Sequence, residues 1–320
     1  MTMDDRLRER LISDLGLNAP FFRGQARPVR NCWHFSTDGN AVDAMFYDEM
    51  DYRDGMNRIY IISRKYNIVI LAFSLMDTHI HFILYGDFEA CRRFVHEFVH
   101  RTSQHIAITH GLRKKLDKVP VHWQEIDTED YLKTAICYVV KNAPVAGKPY
   151  TASDYPWSSG PLYFRRAGTW CSPAWMFASS ETTSDYTVRH KRKVFHTKTP
   201  GNAVVKMVDG IVFPGEYVDY GIVEHLFKTH KAYHYFFCRS REDDIEAKGG
   251  SISLLSIPMQ EMRQNKNAMC RELFGHDNSN RLNTQQRLRL AKALRKKYNS
   301  SKKQIIRLCG LVYDEAKNLL

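Results

Sequence analysis

The strongest constraint on the fold of this chain is a continuous apolar run followed directly by an alternating one. Residues 68–75 read IVILAFSL, a run of strand length that is rich in β-forming residues. After a two-residue turn, residues 78–85 alternate, with Phe82 on one face and His79 and His81 on the other. The pattern predicts a hairpin whose first strand is buried and whose second strand carries two imidazoles on one face.

Two imidazoles side by side on a strand are a candidate metal-binding platform, because neutral imidazole nitrogens are common ligands for divalent metals. The alternative interpretation of His79 and His81 is a pair of polar residues on a half-exposed strand face. The pair alone does not decide between the two.

A later segment predicts a helix that ends near Asn142. Residues 127–130 supply N-cap candidates and first-turn acids, and apolar residues follow at helical spacing. Pro144 disfavours helical geometry in the residue before it. Tyr138 and Asn142 lie four residues apart and therefore share a face beside the apolar stripe. Taken singly, they are also compatible with a boundary tyrosine and a C-terminal helix asparagine.

Four motifs occur along the chain in a characteristic order. They are Met76-Asp77-Thr78-His79-Ile80-His81, Trp123-Gln124, Tyr138-x-x-x-Asn142-Ala143-Pro144-Val145-Ala146-Gly147 and Asp154-Tyr155-Pro156-Trp157-Ser158-Ser159. Together they resemble the single-tyrosine HUH transposases, and most closely the REP-associated tyrosine transposases. The resemblance covers about residues 28–165.

The resemblance implies a fold and a site. The fold is an α/β domain of the α+β type, with helices packed on an antiparallel sheet, ferredoxin-like or RRM-like. His79 and His81 match the family's metal-binding histidines, Tyr138 its nucleophile and Asn142 its third protein ligand. The implied metal is Mg²⁺ or Mn²⁺, although these ligand types also suit several transition metals. Family members usually read Asn-Pro-Val where this chain has an additional Ala143.

The resemblance also implies a reaction, the cleavage and rejoining of single-stranded DNA through a 5′-phosphotyrosine on Tyr138. A bound cation would neutralise the scissile phosphate, and the phenol would lose its proton on attack. The implied partners are hairpin-forming single-stranded DNA and a second copy of the chain. An alternative is a DNA-binding protein that keeps the fold without cleaving.

A rival motif predicts a zinc protease. Residues 96–100 read His-Glu-Phe-Val-His, which matches H-E-x-x-H in a helical setting, with Glu97 placed as the general base. The continuation that would add a third histidine is missing, because Ser103 and Ile106 stand at those positions. The other interpretation is the polar face of an amphipathic helix.

Composition favours a nucleic-acid partner. The chain of 320 residues has a net charge of +12 and a pI of about 9.3, and a positive field attracts polyanions. Seven scattered cysteines without Cys-x-x-Cys spacing predict free thiols in a reducing compartment. No apolar stretch reaches membrane length, so we expect a cytoplasmic protein with no membrane partner.

The remaining sequence predicts a three-part organisation. Residues 1–165 would form the catalytic domain, 166–200 a linker with a basic run at 190–193, and 201–320 a mainly helical DNA-binding region. Residues 284–320 resemble a helix-turn-helix, or else form a small helical bundle with a basic face. The candidate DNA-binding residues here are Arg287, Arg289, Lys292, Arg295, Lys296, Lys302 and Lys303.

Overall fold

The structure is a computed structural model with nine helices and two antiparallel sheets in its described part. It describes residues 5–18, 27–39, 41–42, 44–111, 116–164, 179–183, 186–196, 204–208, 210–239, 259–298, 305–306, 308–312, 316 and 319. Among these residues, no helix combines the length and the hydropathy that crossing a bilayer requires.

The helices and strands alternate in the first half of the chain. The helices are α1 Asp5–Asp14, α2 Glu49–Ser63, α3 Phe88–Thr109, α4 Glu129–Val145, α5 Val188–Phe195, α6 Tyr220–Phe227, α7 His230–Arg239, α8 Met259–Phe274 and α9 Thr284–Tyr298. The strands are β1 Pro28–Thr37, β2 Ile68–Leu75, β3 Ile80–Gly86, β4 Val121–Thr128, β5 Ser179–Thr182, β6 Val204–Val208 and β7 Ile211–Val212.

The main sheet has the strand order β2-β3-β1-β4, and all its neighbouring strands are antiparallel. The predicted buried strand at 68–75 is confirmed, since every residue of β2 is buried. Strand β3 begins two residues later than predicted. The reason is a turn in which the Met76 N–H donates to the His79 carbonyl at 2.8 Å, so that His79 closes the turn and His81 lies in the strand.

The two faces of this sheet carry different chemistry. On one face, Phe82 contacts Phe73 of β2 and the rings of Phe94 and Phe98 from α3, and helix α2 packs beside α3. On the other face, His81 lies against Tyr138 of α4. Because successive side chains of a strand point to opposite faces, β3 contributes to an aromatic core on one face of the sheet and to a polar site on the other.

Helix α4 does not end near Asn142 as predicted but continues to Val145, with Pro144 inside its last turn. Proline has no N–H to donate to the Val140 carbonyl, and the helix ends one residue after it. Two residues after the helix, Gly147 has a φ of +75°, and the Lys148 N–H donates to the Ala143 carbonyl at 3.0 Å. This left-handed glycine ends the helix. Asn142 therefore lies in regular helix, one turn after Tyr138.

The hydrophobic core of the N-terminal half includes residues from beyond the expected linker at 166–200, and the separate C-terminal core begins only at Met269. The described part of that span contains β5 and α5, and Phe195 of α5 packs on Tyr60 of α2. Strands β5, β6 and β7 form a second sheet beside α2, and α6 adds Ile222 and Phe227 to the main core. These apolar side chains need a partner surface, and the N-terminal half of the chain supplies it.

The C-terminal region has a hydrophobic core of its own. Helices α8 and α9 and the following helical turn bury a shared set of side chains, namely Met269, Cys270, Leu282, Leu290, Ala291, Leu294, Ile305, Leu308 and Cys309. These elements form a small helical unit, and helices were predicted in this region. The second helix of the predicted helix-turn-helix falls largely outside the described residues.

A glycine substitution tests how the chain after α4 closes over β2. The Ser159 N–H donates to the Phe73 carbonyl at 3.0 Å, and the turn that follows brings Gly160 against Ala152. A Cβ on Gly160 would clash with the Ala152 carbonyl oxygen, so Gly160→Ala should lower the free energy of unfolding by about 1–3 kcal/mol. Urea denaturation measures this change.

Gly221→Ala is the matched control for Gly160→Ala. Gly221 lies in the first turn of α6, and a Cβ there would meet only a side-chain oxygen of Asp219 at 3.5 Å. Alanine favours helix over glycine, so this variant should be neutral or more stable by up to about 1 kcal/mol. Equal destabilisation of both variants would contradict the predicted clash at Gly160.

Candidate metal and tyrosine site

The structure brings together all four residues that the sequence singled out for a metal–tyrosine site. His81 projects from the start of β3 and His79 from the turn before it. Tyr138 and Asn142 project from α4 toward them. Antiparallel pairing places Ser74 of β2 opposite His81, so this side chain lies in the same cross-strand row.

The distances define a compact group. His79 Nε2 lies 3.3 Å from Asn142 Oδ1, and the Asn142 amide donates to the Tyr138 carbonyl at 3.3 Å. The rings of His79 and His81 are 4.8 Å apart, and those of His81 and Tyr138 are 5.5 Å apart. The amide contact to α4 orients the Asn142 oxygen toward the imidazoles.

His34 joins the site from β1 and was not predicted from the sequence. Its Nε2 lies 3.1 Å from His81 Nδ1, and its ring lies 5.9 Å from that of Tyr138. If His81 Nδ1–H donates to His34, the lone pair of His81 Nε2 points into the site. The available signal was a histidine between Trp33 and Phe35 in a strand-like run, but only the pairing of β1 with β3 shows which face it occupies.

All three imidazoles are buried and neutral. Burial lowers the pKa of His34 to about 3 and that of His79 to about 4. Burial also lowers the pKa of His81 well below its usual value, and the neighbouring His79 and His34 lower it further. Neutral imidazoles keep the lone pairs that bind a metal, whereas protonated ones do not.

The donor set fits a divalent metal. Among the described residues, His81 Nε2 and the neighbouring Ser74 hydroxyl are buried and neither has a partner within hydrogen-bond geometry, although the Asn142 side chain lies near enough to His81 to raise its pKa. Buried polar atoms normally have partners, so an unpaired imidazole nitrogen beside an oriented amide oxygen suggests a missing ligand. His79, His81 and Asn142 could therefore hold an ion, with His34 positioning His81 from behind.

The predicted DNA-binding residues that the structure describes differ in their exposure. Arg289 and Lys292 of α9 are exposed, whereas Arg295 is half-buried. Arg287 is engaged within the C-terminal unit, since its guanidinium donates to the carbonyls of Leu282 and Gly310 at 3.0 and 3.1 Å. Lys302 and Lys303 lie outside the described residues, and only the backbone of Lys296 is described.

The H-E-x-x-H motif lies on the surface of α3 in a setting that does not suit a protease. The Glu97 carboxylate is held by Lys65 at 2.5 Å, by the Tyr66 hydroxyl at 2.8 Å and by Arg101 at 2.8 Å. Within the described part of the chain, His96 and His100 belong to no group of three ligating side chains. A glutamate fixed by three donors is not placed to activate a zinc-bound water.

Two other groups of histidine and aspartate could hold a metal ion. One consists of Asp54, His105 and His196, and the other of Asp48, Asp51 and His110. Sequence analysis missed both groups because each joins residues from elements far apart in the chain.

Comparisons with known proteins do not identify the chain. No protein-family model matches it, and neither a curated protein nor a solved structure gives a significant match. Its function therefore has to be inferred from its own motifs and geometry.

Proposed function

We propose that this protein is a metal-dependent DNA transposase or endonuclease that cleaves and rejoins single-stranded DNA through Tyr138. The observation that carries the proposal is the convergence of Tyr138 with His79, His81 and Asn142 on one buried face. These residues match the HUH family pattern, and they come from segments about sixty residues apart in the sequence.

The order of elements also supports the proposal. The segment from β1 to β4 follows a β-α-β-β-α-β pattern, and its sheet has the order β4-β1-β3-β2. The family resemblance implies a ferredoxin-like domain, and this strand order supports that proposal. In this arrangement, the histidine pair falls at the start of an inner strand, and the tyrosine helix directly follows the last strand.

The reaction would proceed by exchange at phosphorus. The Tyr138 oxygen forms a bond to the scissile phosphorus and gives up its phenolic proton, while the bond from phosphorus to the 3′-oxygen breaks. The 3′-oxygen leaves with a proton as a hydroxyl, and the 5′-phosphate stays on Tyr138 as an ester. Attack by another 3′-hydroxyl reverses the step and joins strands without an external energy source.

The protein's own residues prepare this step. His79, His81 and Asn142 would hold Mg²⁺ or Mn²⁺, which when bound neutralises the phosphate charge. Helix α4 fixes Tyr138 one turn before Asn142, so the nucleophile and one ligand move as a unit. Since His79 and His81 are fully buried, the site must open locally for a DNA strand to enter.

The test is an incubation of the full chain with labelled single-stranded hairpin DNA from the flanks of its gene. With Mg²⁺ or Mn²⁺ we expect a DNA-linked protein band on a denaturing gel, and EDTA should prevent it. His81→Gln should reduce the band by about 100-fold or more. Losing a residue that only hydrogen-bonds to a metal ligand already lowers metal affinity or activity by about 10–100-fold, and His81 would be a ligand itself.

A negative result would favour the second hypothesis. DNA binding without any covalent band, across several hairpins and both metals, would indicate a DNA-binding protein that has kept the fold but does not cleave. An equally strong band from wild type and His81→Gln would contradict the assigned metal site.

A further inference from the structure

A second cluster of metal-binding side chains lies on the opposite side of the sheet from Tyr138. Asp54 of α2, His105 of α3 and His196 at the C-terminus of α5 meet there. His105 Nδ1 lies 3.6 Å from Asp54 Oδ2, and His196 Nε2 contacts Asp54 Oδ1. The two imidazole rings are 5.3 Å apart.

Asp51 determines which nitrogen of His105 faces the cluster. His105 Nε2 lies 3.1 Å from Asp51 Oδ1, and the other Asp51 oxygen receives His110 Nε2 at 2.8 Å and the Tyr47 N–H at 2.8 Å. A carboxylate accepts only, so His105 donates its Nε2–H, and in the neutral ring Nδ1 is a bare lone pair. A carboxylate behind a histidine is also a common arrangement around bound metals.

This arrangement leaves two electron-pair donors facing each other. His105 Nδ1 and Asp54 Oδ2 are both acceptors 3.6 Å apart, and of the two only Asp54 Oδ2 pairs with a cation among the described residues, the Arg58 guanidinium. His105 Nδ1 is therefore oriented toward Asp54 with its lone pair available to a bound ion.

Two buried carboxylates lie at the cluster beside a single buried guanidinium among the described residues. The side chains of Asp51 and Asp54 are 0% and 7% exposed, whereas the only buried cation that contacts them among the described residues is Arg58. Arg58 pairs with Asp54 and also donates to the Thr102 hydroxyl at 2.7 Å. The two carboxylates therefore face one permanent cation and the imidazoles of His105, His110 and His196, in a medium where unpaired charge is costly.

We propose that Asp54, His105 and His196 bind one divalent transition-metal ion, with Zn²⁺ the best match. Two imidazoles and a carboxylate are typical zinc ligands, and an aspartate ligand can keep a hydrogen-bonded partner such as Arg58. Half of the His196 side chain is exposed, so a water can complete the coordination from the solvent side.

The ion would link the C-terminal end of the basic helix α5 to α2 and α3. Helix α5 carries Arg189, Arg192 and Lys193 on its exposed side. It is held on α2 by Phe195, which packs on Tyr60, and by Asn57, which donates to the Val194 carbonyl at 3.0 Å. His196 directly follows the helix with a φ of +51°, so coordination there would fix its C-terminal end.

The experiment measures Zn²⁺ bound per chain after a metal-free full-length sample is titrated with ZnCl₂ against a chromophoric chelator. His196→Gln should lose one equivalent relative to wild type, and His105→Gln should lose the same one. His190→Gln is the control, because this exposed histidine on the same helix stacks on Tyr186 outside the cluster. His81→Gln shows how much of the bound Zn²⁺ belongs to the tyrosine site, so that this fraction can be distinguished from the ion at the Asp54 cluster.

Limited trypsin digestion provides a second measurement without DNA. Zn²⁺ at 100 times its Kd should make detachment of α5 about 100-fold rarer. Trypsin cleavage after Arg189, Arg192 and Lys193 should therefore slow in wild type and in His190→Gln. It should not slow in His196→Gln. Unchanged stoichiometry and unchanged cleavage in both His196→Gln and His105→Gln would overturn the proposal. So would a loss of Zn²⁺ confined to His81→Gln. Neither measurement depends on whether Tyr138 cleaves DNA.

Discussion

Replacing Tyr138 with phenylalanine is expected to abolish the covalent protein–DNA adduct and leave the fold intact. The substitution removes only the phenolic oxygen, which would be the atom bonded to phosphorus, so no adduct can form. The ring stays in contact with His34 and His81, at centroid distances of 5.9 and 5.5 Å. Denaturing electrophoresis with labelled DNA measures the adduct, and circular dichroism follows the fold.

Tyr131→Phe is the matched control for this prediction. Tyr131 lies on the same helix about two turns before Tyr138, and both tyrosines are 5% exposed. Its variant should form the adduct at the wild-type level. A persistent adduct in Tyr138→Phe would assign the nucleophile to another residue, whereas loss of the adduct in both variants would indicate damage to α4 rather than to the chemistry.

The parts of the site that could be predicted depend on local periodicity. His79 and His81 stand in an alternating run after a buried strand, and Tyr138 and Asn142 are four apart in an amphipathic helix. Each pair shares a face whatever the rest of the chain does. The sequence alone could not bring the two pairs together. That step came from the family resemblance, and the structure now provides the distances.

The parts that could not be predicted depend on tertiary pairing. His34 reaches the site only because β1 pairs with β3, and no local pattern reveals that neighbour. The Asp54, His105 and His196 cluster joins three helices, one of them within the expected linker. Helix α4 ends three residues later than predicted, because Pro144 lies inside its last turn and Gly147 supplies the left-handed residue that follows the helix.

A large loss of stability is expected when Phe82 is replaced with alanine. Phe82 is fully buried in β3, and its ring lies 5.2 Å from that of Phe94 and 5.4 Å from that of Phe98. Removing a packed aromatic ring loses its transfer free energy and leaves a cavity between the sheet and α3. We expect the free energy of unfolding to fall by about 3–5 kcal/mol, measured by urea denaturation.

This stability prediction also bears on the site, because Phe82 and His81 are neighbours on opposite faces of β3. The aromatic packing against α3 fixes the strand from behind, and that in turn fixes the imidazole that faces Tyr138. Ile108→Ala on α3 is the control, since Ile108 is 84% exposed and its loss should change stability by less than about 0.5 kcal/mol. A change of similar size in both variants would mean that the ring packing of Phe82 does not hold β3 in place.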